Sequence, residues 1–234
     1  MRSSVRIGLV IPARDEAGAI GRVLADVPAW VDHVVVCDNG SRDGTGDVAR
    51  AAGATVVGEP ARGYGAACLA ALAALPPVDI VVFADGDYSD HVEDMARLVD
   101  PIIDGACEFV VGSRALGVAE PGALTPQQRF GNWLATRLIR LLWGARYTDL
   151  GPFRAIRAAA LDRLAMADRN FGWTVEMQIK AVEAGLVWRE VPVRYRARIG
   201  TSKVSGTLSG TIGAGTKILY IIARHALARG RPSR

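Results

Sequence analysis

Val78-Asp79-Ile80-Val81-Val82-Phe83-Ala84-Asp85-Gly86-Asp87 is an apolar, β-branched run that breaks abruptly into two aspartates separated by one glycine. A short apolar run bounded by turn residues reads as a strand buried on both faces of a parallel sheet. The two carboxylates then stand just past its carboxyl end, where open α/β sheets bind their ligands. Hard oxygen donors at i and i+2 on a turn can hold one Mg2+ or Mn2+ that bridges a diphosphate. Asp and Gly also build ordinary surface turns, so this stretch alone leaves both readings open.

The same alternation extends on either side. Residues 5–11, 33–37 and 55–58 read as strands, and 15–27, 45–52 and 64–75 as helices, the last stopped by Pro76-Pro77. Downstream, 91–103 is an amphipathic helix and 108–111 another strand. Strand and helix in turn predict an α/β domain with a mostly parallel central sheet flanked by helices on both faces. After Ser113 the pattern changes. Residues 115–125 read as a Gly/Pro-rich loop, 126–143 as a helix, and 147–157 as irregular or strand-like. Residues 158–166 and 174–184 read as helices, 186–195 as β-like, 197–206 as a polar mobile stretch and 207–228 as a last helix. This predicts one catalytic domain over 1–205 with a C-terminal subregion, followed by an amphipathic basic helix and tail over 206–234.

Composition narrows the class. The chain has 234 residues, half of them hydrophobic, and a net charge of +4. Residues 185–234 carry ten Lys and Arg against the single acidic residue Glu190, a local charge of +9, which leaves −5 on the first 184. A basic tail suits nucleic acid, anionic lipid or a phosphorylated ligand, or is simply a solvated face. Cys37, Cys68 and Cys107 are far apart and match no metal or disulfide framework, so buried reduced thiols in a cytoplasmic protein are expected. Neither a leader segment nor an 18-residue apolar run is visible.

Four loops leave the predicted strand ends: Pro12-Ala13-Arg14-Asp15-Glu16, Asp38-Asn39-Gly40-Ser41-Arg42-Asp43-Gly44-Thr45, Arg62-Gly63-Tyr64-Gly65 and Asp85-Gly86-Asp87. A doubly wound sheet gathers such ends along one rim. That rim offers carboxylates for base or ribose hydrogen bonds, glycines for close backbone approach and an aspartate pair for a metal, which suits a nucleoside diphosphate. No G-x-G-x-x-G follows the first strand and no G-x-x-x-x-G-K-[ST] is present, against dinucleotide oxidoreductases and P-loop NTPases.

These motifs, in this order, resemble family 2 glycosyltransferases with the GT-A fold, nearest the dolichyl-phosphate mannose synthase and polyprenyl-phosphate branch. The likeness continues through Thr148-Asp149-Leu150-Gly151-Pro152-Phe153-Arg154, Phe171-Gly172-Trp173-Thr174-Val175-Glu176 and Arg198-Ile199-Gly200-Thr201-Ser202-Lys203. It implies an inverting transfer of a hexose from a nucleotide diphosphate sugar, UDP-linked in preference to GDP-linked, to a polyprenyl phosphate. A soluble small-molecule or glycan hydroxyl acceptor is the alternative within the family, and a non-enzymatic basic nucleic-acid or lipid-binding module the alternative outside it; with the family reading, no nucleic acid is expected. It places Pro12, Glu16 and Asp38 around base and ribose, with Asp85 toward sugar or ribose. Asp87 would be the ligand of Mg2+ or Mn2+, and Arg198 and Lys203 would close over the diphosphate. Asp149 stands as base or orienting group near the acceptor, Glu176 beside it, and Arg129 and Arg154 as contacts for an acceptor phosphate. Relatives often carry Gln two positions after the second aspartate, where this chain has Ser89. They often carry a C-terminal membrane span, where this chain has basic residues amid apolar ones, compatible with peripheral contact at the cytoplasmic membrane face.

Overall fold

A computed structural model of the chain describes residues 4–201 and 208–229. Seven strands form one sheet: β1 (Ile7–Ala13), β2 (His33–Asp38), β3 (Thr55–Gly58), β4 (Ile80–Phe83), β5 (Phe109–Ala119), β6 (Arg154–Arg157) and β7 (Trp188–Tyr195). Their order is β3-β2-β1-β4-β6-β5-β7. All neighbouring pairs are parallel except those of β6, which runs antiparallel to both β4 and β5. The chain moves outward from β1 through β2 to β3, then returns to place β4 on the other side of β1. The carboxyl ends of β1 and β4 therefore meet at the point where the strand order reverses, which is where such sheets hold ligands.

The helices are α1 (Ala17–Ala25), α2 (Thr45–Ala51), α3 (Tyr64–Ala74), α4 (Ala96–Ile103), α5 (Pro126–Trp143), α6 (Ala158–Leu164), α7 (Trp173–Glu183) and α8 (Leu208–Arg229). Alternate residues of each central strand feed two cores. Ile7, Leu9 and Ile11 pack with Ile20 and Val23 of α1 and with Leu98, Val99 and Ile102 of α4. Val10, Val35, Val81, Phe83 and Phe109 face α3, α5, α7 and α8 on the opposite side. This two-sided burial is why the strands read as continuous apolar runs. Cys37, Cys68 and Cys107 are buried free thiols, and burial pushes Cys37 up to about 12.

One departure from the sequence reading bears on the site. Residues 115–119, expected in a loop, continue β5, which pairs with β7 up to Ser113 and again from Val118, with a register shift between. Arg114 lies within this irregular stretch. Gly117 permits the irregularity, since a β-carbon there would overlap the Val193 carbonyl oxygen. The C-terminal helix packs against the domain. Ile221 and Ile222 of α8 enter the core shared with α5 and α7. α5 begins at a reciprocal cap: Gln128 N–H donates to Thr125 Oγ1 (3.2 Å) and Thr125 N–H to Gln128 Oε1 (2.8 Å). Such a cap contributes about 1 kcal/mol.

Candidate active site

The first three rim loops are bonded to one another in turn, and the third and fourth are tied to segments from the C-terminal half. Ser41 Oγ accepts from Asp15 N–H (2.9 Å) and Thr45 Oγ1 from Glu16 N–H (2.8 Å), joining the first loop to the second. Asn39 joins the second to the third: its amide donates to the carbonyls of Glu59 and Ala61, and its oxygen accepts from Gly63 N–H (2.9 Å). Gly65 and Ala66 N–H donate to the carbonyls of Asn170 and Arg169. After β4, Ile199 N–H donates to the Asp87 carbonyl and Arg196 Nε to that of Tyr88, with the Arg196 guanidinium 3.4 Å from the Tyr88 ring centre.

These loops enclose a cavity of ≈ 390 Å³ at the ends of β1 and β4. Pro12, Ala13, Arg14 and Glu16 form one wall, Arg62 and Gly63 another, and Asp85, Gly86 and Asp87 the floor, with Arg198 alongside. Asp38 and Gly40 do not line it. Asp38 Oδ1 instead accepts from Ser41 N–H (2.8 Å), and Gly40 (φ +76°) makes the turn. Asn39, Tyr64, Ala67, Asn170 and Phe171 complete the lining and were not singled out from sequence. Asn39 stands inside the Asp38–Thr45 motif, and Phe171 opens another of the quoted motifs, so the signal was present.

The electrostatics centre on the floor. Asp87 Oδ1 accepts from the Ser89 N–H (2.9 Å) and hydroxyl (2.5 Å), so buried Ser89 orients the aspartate. Asp87 Oδ2 lies 3.0 Å from Arg198 Nη1, whose Nη2 lies 2.7 Å from Glu16 Oε1. The Arg198 guanidinium thus sits against the second oxygen of Asp87, a position that a divalent ion could take. Burial pushes the Asp85 carboxyl well above the usual range, and the charges of Asp87 and Asp90 push it further. Asp85 Oδ1 is buried without a hydrogen-bond partner, an acceptor position waiting for a donor or a cation. Among the described residues no three His, Cys, Asp or Glu side chains could hold a metal by themselves. One or two carboxylates with substrate phosphates supplying the rest is the usual arrangement for Mg2+. Lys203 lies outside the described residues.

Asp149, 1% exposed, sits beyond β5 in a fixed pair with Arg114. Its carboxylate accepts from Arg114 N–H (2.7 Å), Nε (2.8 Å) and Nη2 (2.6 Å). Arg114 also lines a second, mostly apolar groove of ≈ 700 Å³ between α5 and α8, with Phe130, Leu134, Leu150, Ile218 and Leu219. Arg129, at the start of α5, is exposed near this groove. Two residues expected on the acceptor side are internal. Arg154 is fully buried, donates to the carbonyls of Leu150, Gly151 and Thr174, and is lowered to about 10 by burial. Glu176 is buried, accepts from the N–H groups of Ala167 and Asp168, and pairs with Lys180. Both hold the acceptor-side backbone, and neither presents a polar atom to a substrate.

Comparison with known proteins gives the family and the fold. The glycosyl transferase family 2 sequence model matches residues 9–165. An uncharacterized glycosyltransferase of Mycobacterium tuberculosis is 37% identical over 88% of this chain and 93% of its own length. A dolichyl-phosphate hexose transferase of Haloferax volcanii is 33% identical over 94% of this chain and 96% of its own. In structure, glucosyl-3-phosphoglycerate synthase from Mycobacterium tuberculosis, crystallised with Mn2+, UDP and glucosyl-3-phosphoglycerate, superposes with a TM-score of 0.78. That match has 22% identity and covers 99% of this chain and 82% of the other, so the glycosyltransferase fold is shared.

Proposed function

Because the chain belongs to glycosyl transferase family 2, we propose that this glycosyltransferase moves a hexose from a UDP-sugar, in preference to a GDP-sugar, onto a polyprenyl phosphate by one inverting displacement. The observation that carries the acceptor assignment is the Asp149–Arg114 pair. A sugar hydroxyl needs a general base to remove its proton. A phosphate monoester is already anionic at neutral pH and needs none. Asp149 is the partner of Arg114, which lines the groove, and both its oxygens are bonded to that arginine. It orients Arg114 beside the groove instead of serving as a free base. The similarity to a dolichyl-phosphate hexose transferase supports the same class of acceptor.

On the donor side, Asp87 would hold Mg2+ or Mn2+, and Asp85, with its unpartnered oxygen, would accept from a sugar or ribose hydroxyl. Bound there, the metal supplies Lewis-acid neutralisation of charge on the departing diphosphate. In glucosyl-3-phosphoglycerate synthase the same fold accommodates both UDP and Mn2+. Arg198 leaves Glu16 and Asp87 and turns onto the diphosphate, adding a fixed cation where leaving-group charge develops. The family resemblance gives Lys203 the same role as a second cation.

The acceptor groove opens on a face that suits a lipid surface. Phe130, Trp133, Leu219 and Tyr220 are exposed along α5 and α8, and Arg129, Arg137 and Arg224 are exposed on the same helices. Neither helix contains an acidic residue. Aromatic and basic side chains together favour peripheral binding to anionic lipid. Among the described residues no helix is long and apolar enough to cross a membrane.

The test is transfer of label from UDP-glucose or GDP-mannose to polyprenyl phosphate in vesicles, against soluble phosphorylated and hydroxyl acceptors. Label extractable into organic solvent, dependent on the lipid phosphate, is expected. Transfer to a soluble acceptor with no lipid product from any donor contradicts the assignment.

A further inference from the structure

The loop 167–172 is the wall between the two cavities. Asn170 and Phe171 line the donor cavity, and Thr174, just inside α7, lines the apolar groove. Asp168 organises this wall from within. Its side chain is 1% exposed, and its Oδ1 accepts from the N–H groups of Asn170 (2.8 Å) and Gly172 (3.0 Å). Its second oxygen lies 2.7 Å from Lys217 Nζ, which comes from the distant helix α8. Lys217 stands between Gly215 and the Ile218–Leu219 pair, all three of which line the groove. The far side of the wall is equally constrained, because a β-carbon on Gly63 or Gly65 would overlap the carbonyl oxygens of Arg169 and Asp168.

We infer that Lys217 is a positioning residue for the donor: through its ion pair with Asp168 it fixes the loop that presents Asn170 and Phe171 to the nucleotide sugar. This rests on the assignment of the ≈ 390 Å³ cavity to the donor. Lys217 lines neither cavity and touches no substrate. Its effect passes through one buried carboxylate and two main-chain amides. Without the ammonium group, Asp168 holds an unpaired buried charge and the loop shifts to hydrate it. α8 thereby acts on both substrates, forming the groove directly and the donor cavity through Lys217.

The test is calorimetric titration of UDP with Mn2+ into the full chain, with steady-state kinetics at varied donor and varied acceptor. A displaced contact loop costs about tenfold or more in the step it serves. Lys217→Met is therefore expected to weaken UDP binding and raise the donor KM by about that factor, with acceptor KM unchanged. Lys217→Arg, which keeps the cation, is expected to restore most of the binding. Asp168→Asn is expected to reproduce the donor defect, with no added defect when combined with Lys217→Met, since the two act as one unit. It also stands in should Lys217→Met fail to fold. Unchanged UDP affinity in these variants, against a wild type that binds UDP, overturns the inference and leaves the donor site standing. Equal defects toward donor and acceptor, unrelieved by Lys217→Arg, overturn it in favour of general destabilisation. A wild type that binds no nucleotide overturns the donor assignment and this inference with it.

Discussion

Replacing Asp149 with Asn separates the two acceptor chemistries. In the native pair Asp149 Oδ2 accepts from both Arg114 N–H and Nε, and Oδ1 from Nη2 at 2.6 Å. Asparagine keeps one oxygen for the first two donors but turns its amide nitrogen toward Nη2, donor against donor. The variant loses a charge-assisted hydrogen bond, about 1.5–3 kcal/mol. It also leaves a guanidinium with 14% side-chain exposure without its bonded carboxylate. Breaking such a pair from one side costs about 3–5 kcal/mol. We expect Asp149→Asn to lower unfolding free energy by about 3 kcal/mol in urea titration, a large part of the roughly 5–15 kcal/mol that holds a typical domain. Below its melting temperature the folded variant should still turn over lipid phosphate, with the wild-type pH profile. If instead stability changes by less than about 0.5 kcal/mol while turnover is abolished, Asp149 is a general base and the acceptor is a hydroxyl.

Two further outcomes follow from the rim. Gly65→Ala puts a β-carbon into the Asp168 carbonyl oxygen and should cost about 2–3 kcal/mol in thermal unfolding while weakening nucleotide binding; retention of both would show that the wall yields freely. Burial raises the Asp90 carboxyl from 3.8 to about 7, with Asp87 adding repulsion. A carboxyl raised on folding contributes stability that is fully present below the unfolded value of 3.8 and is lost as pH rises through about 7. Asp90→Asn, which keeps an oxygen for the Asp85 N–H, should therefore gain on the wild type as pH rises from about 4 to about 7, by a few kcal/mol. A difference in melting temperature that stays constant over that range contradicts it.

How much of this the sequence contained depended on whether a signal was local. The strand ending at Phe83 and the aspartates beyond it were legible because an apolar run and its turn are contiguous. The rim was legible for the same reason, since each loop directly follows its own strand. Residues 115–119 were misread because glycine suggests a loop, whereas pairing with β7, some 75 residues away, decides the matter. Arg154 and Glu176 belong to motifs that surround the site, and their position in the motif did not reveal that both point inward to main-chain groups. Arg114 carried no sequence signal because its importance comes from the fold, which sets it against Asp149 from an irregular stretch of β5. Lys217 was equally silent, being one basic residue in an amphipathic helix until the fold set it against Asp168.

Calorimetric titration of UDP and GDP, each with and without Mn2+, into the wild type and Asp87→Ala tests the central claim that Asp85-Gly86-Asp87 is a metal-assisted diphosphate site. The account predicts that UDP binds more tightly than GDP, that Mn2+ strengthens binding, and that Asp87→Ala abolishes the metal-dependent part while the protein remains folded. Metal enhancement of the same size in Asp87→Ala, or no nucleotide binding by the wild type under any condition, contradicts it.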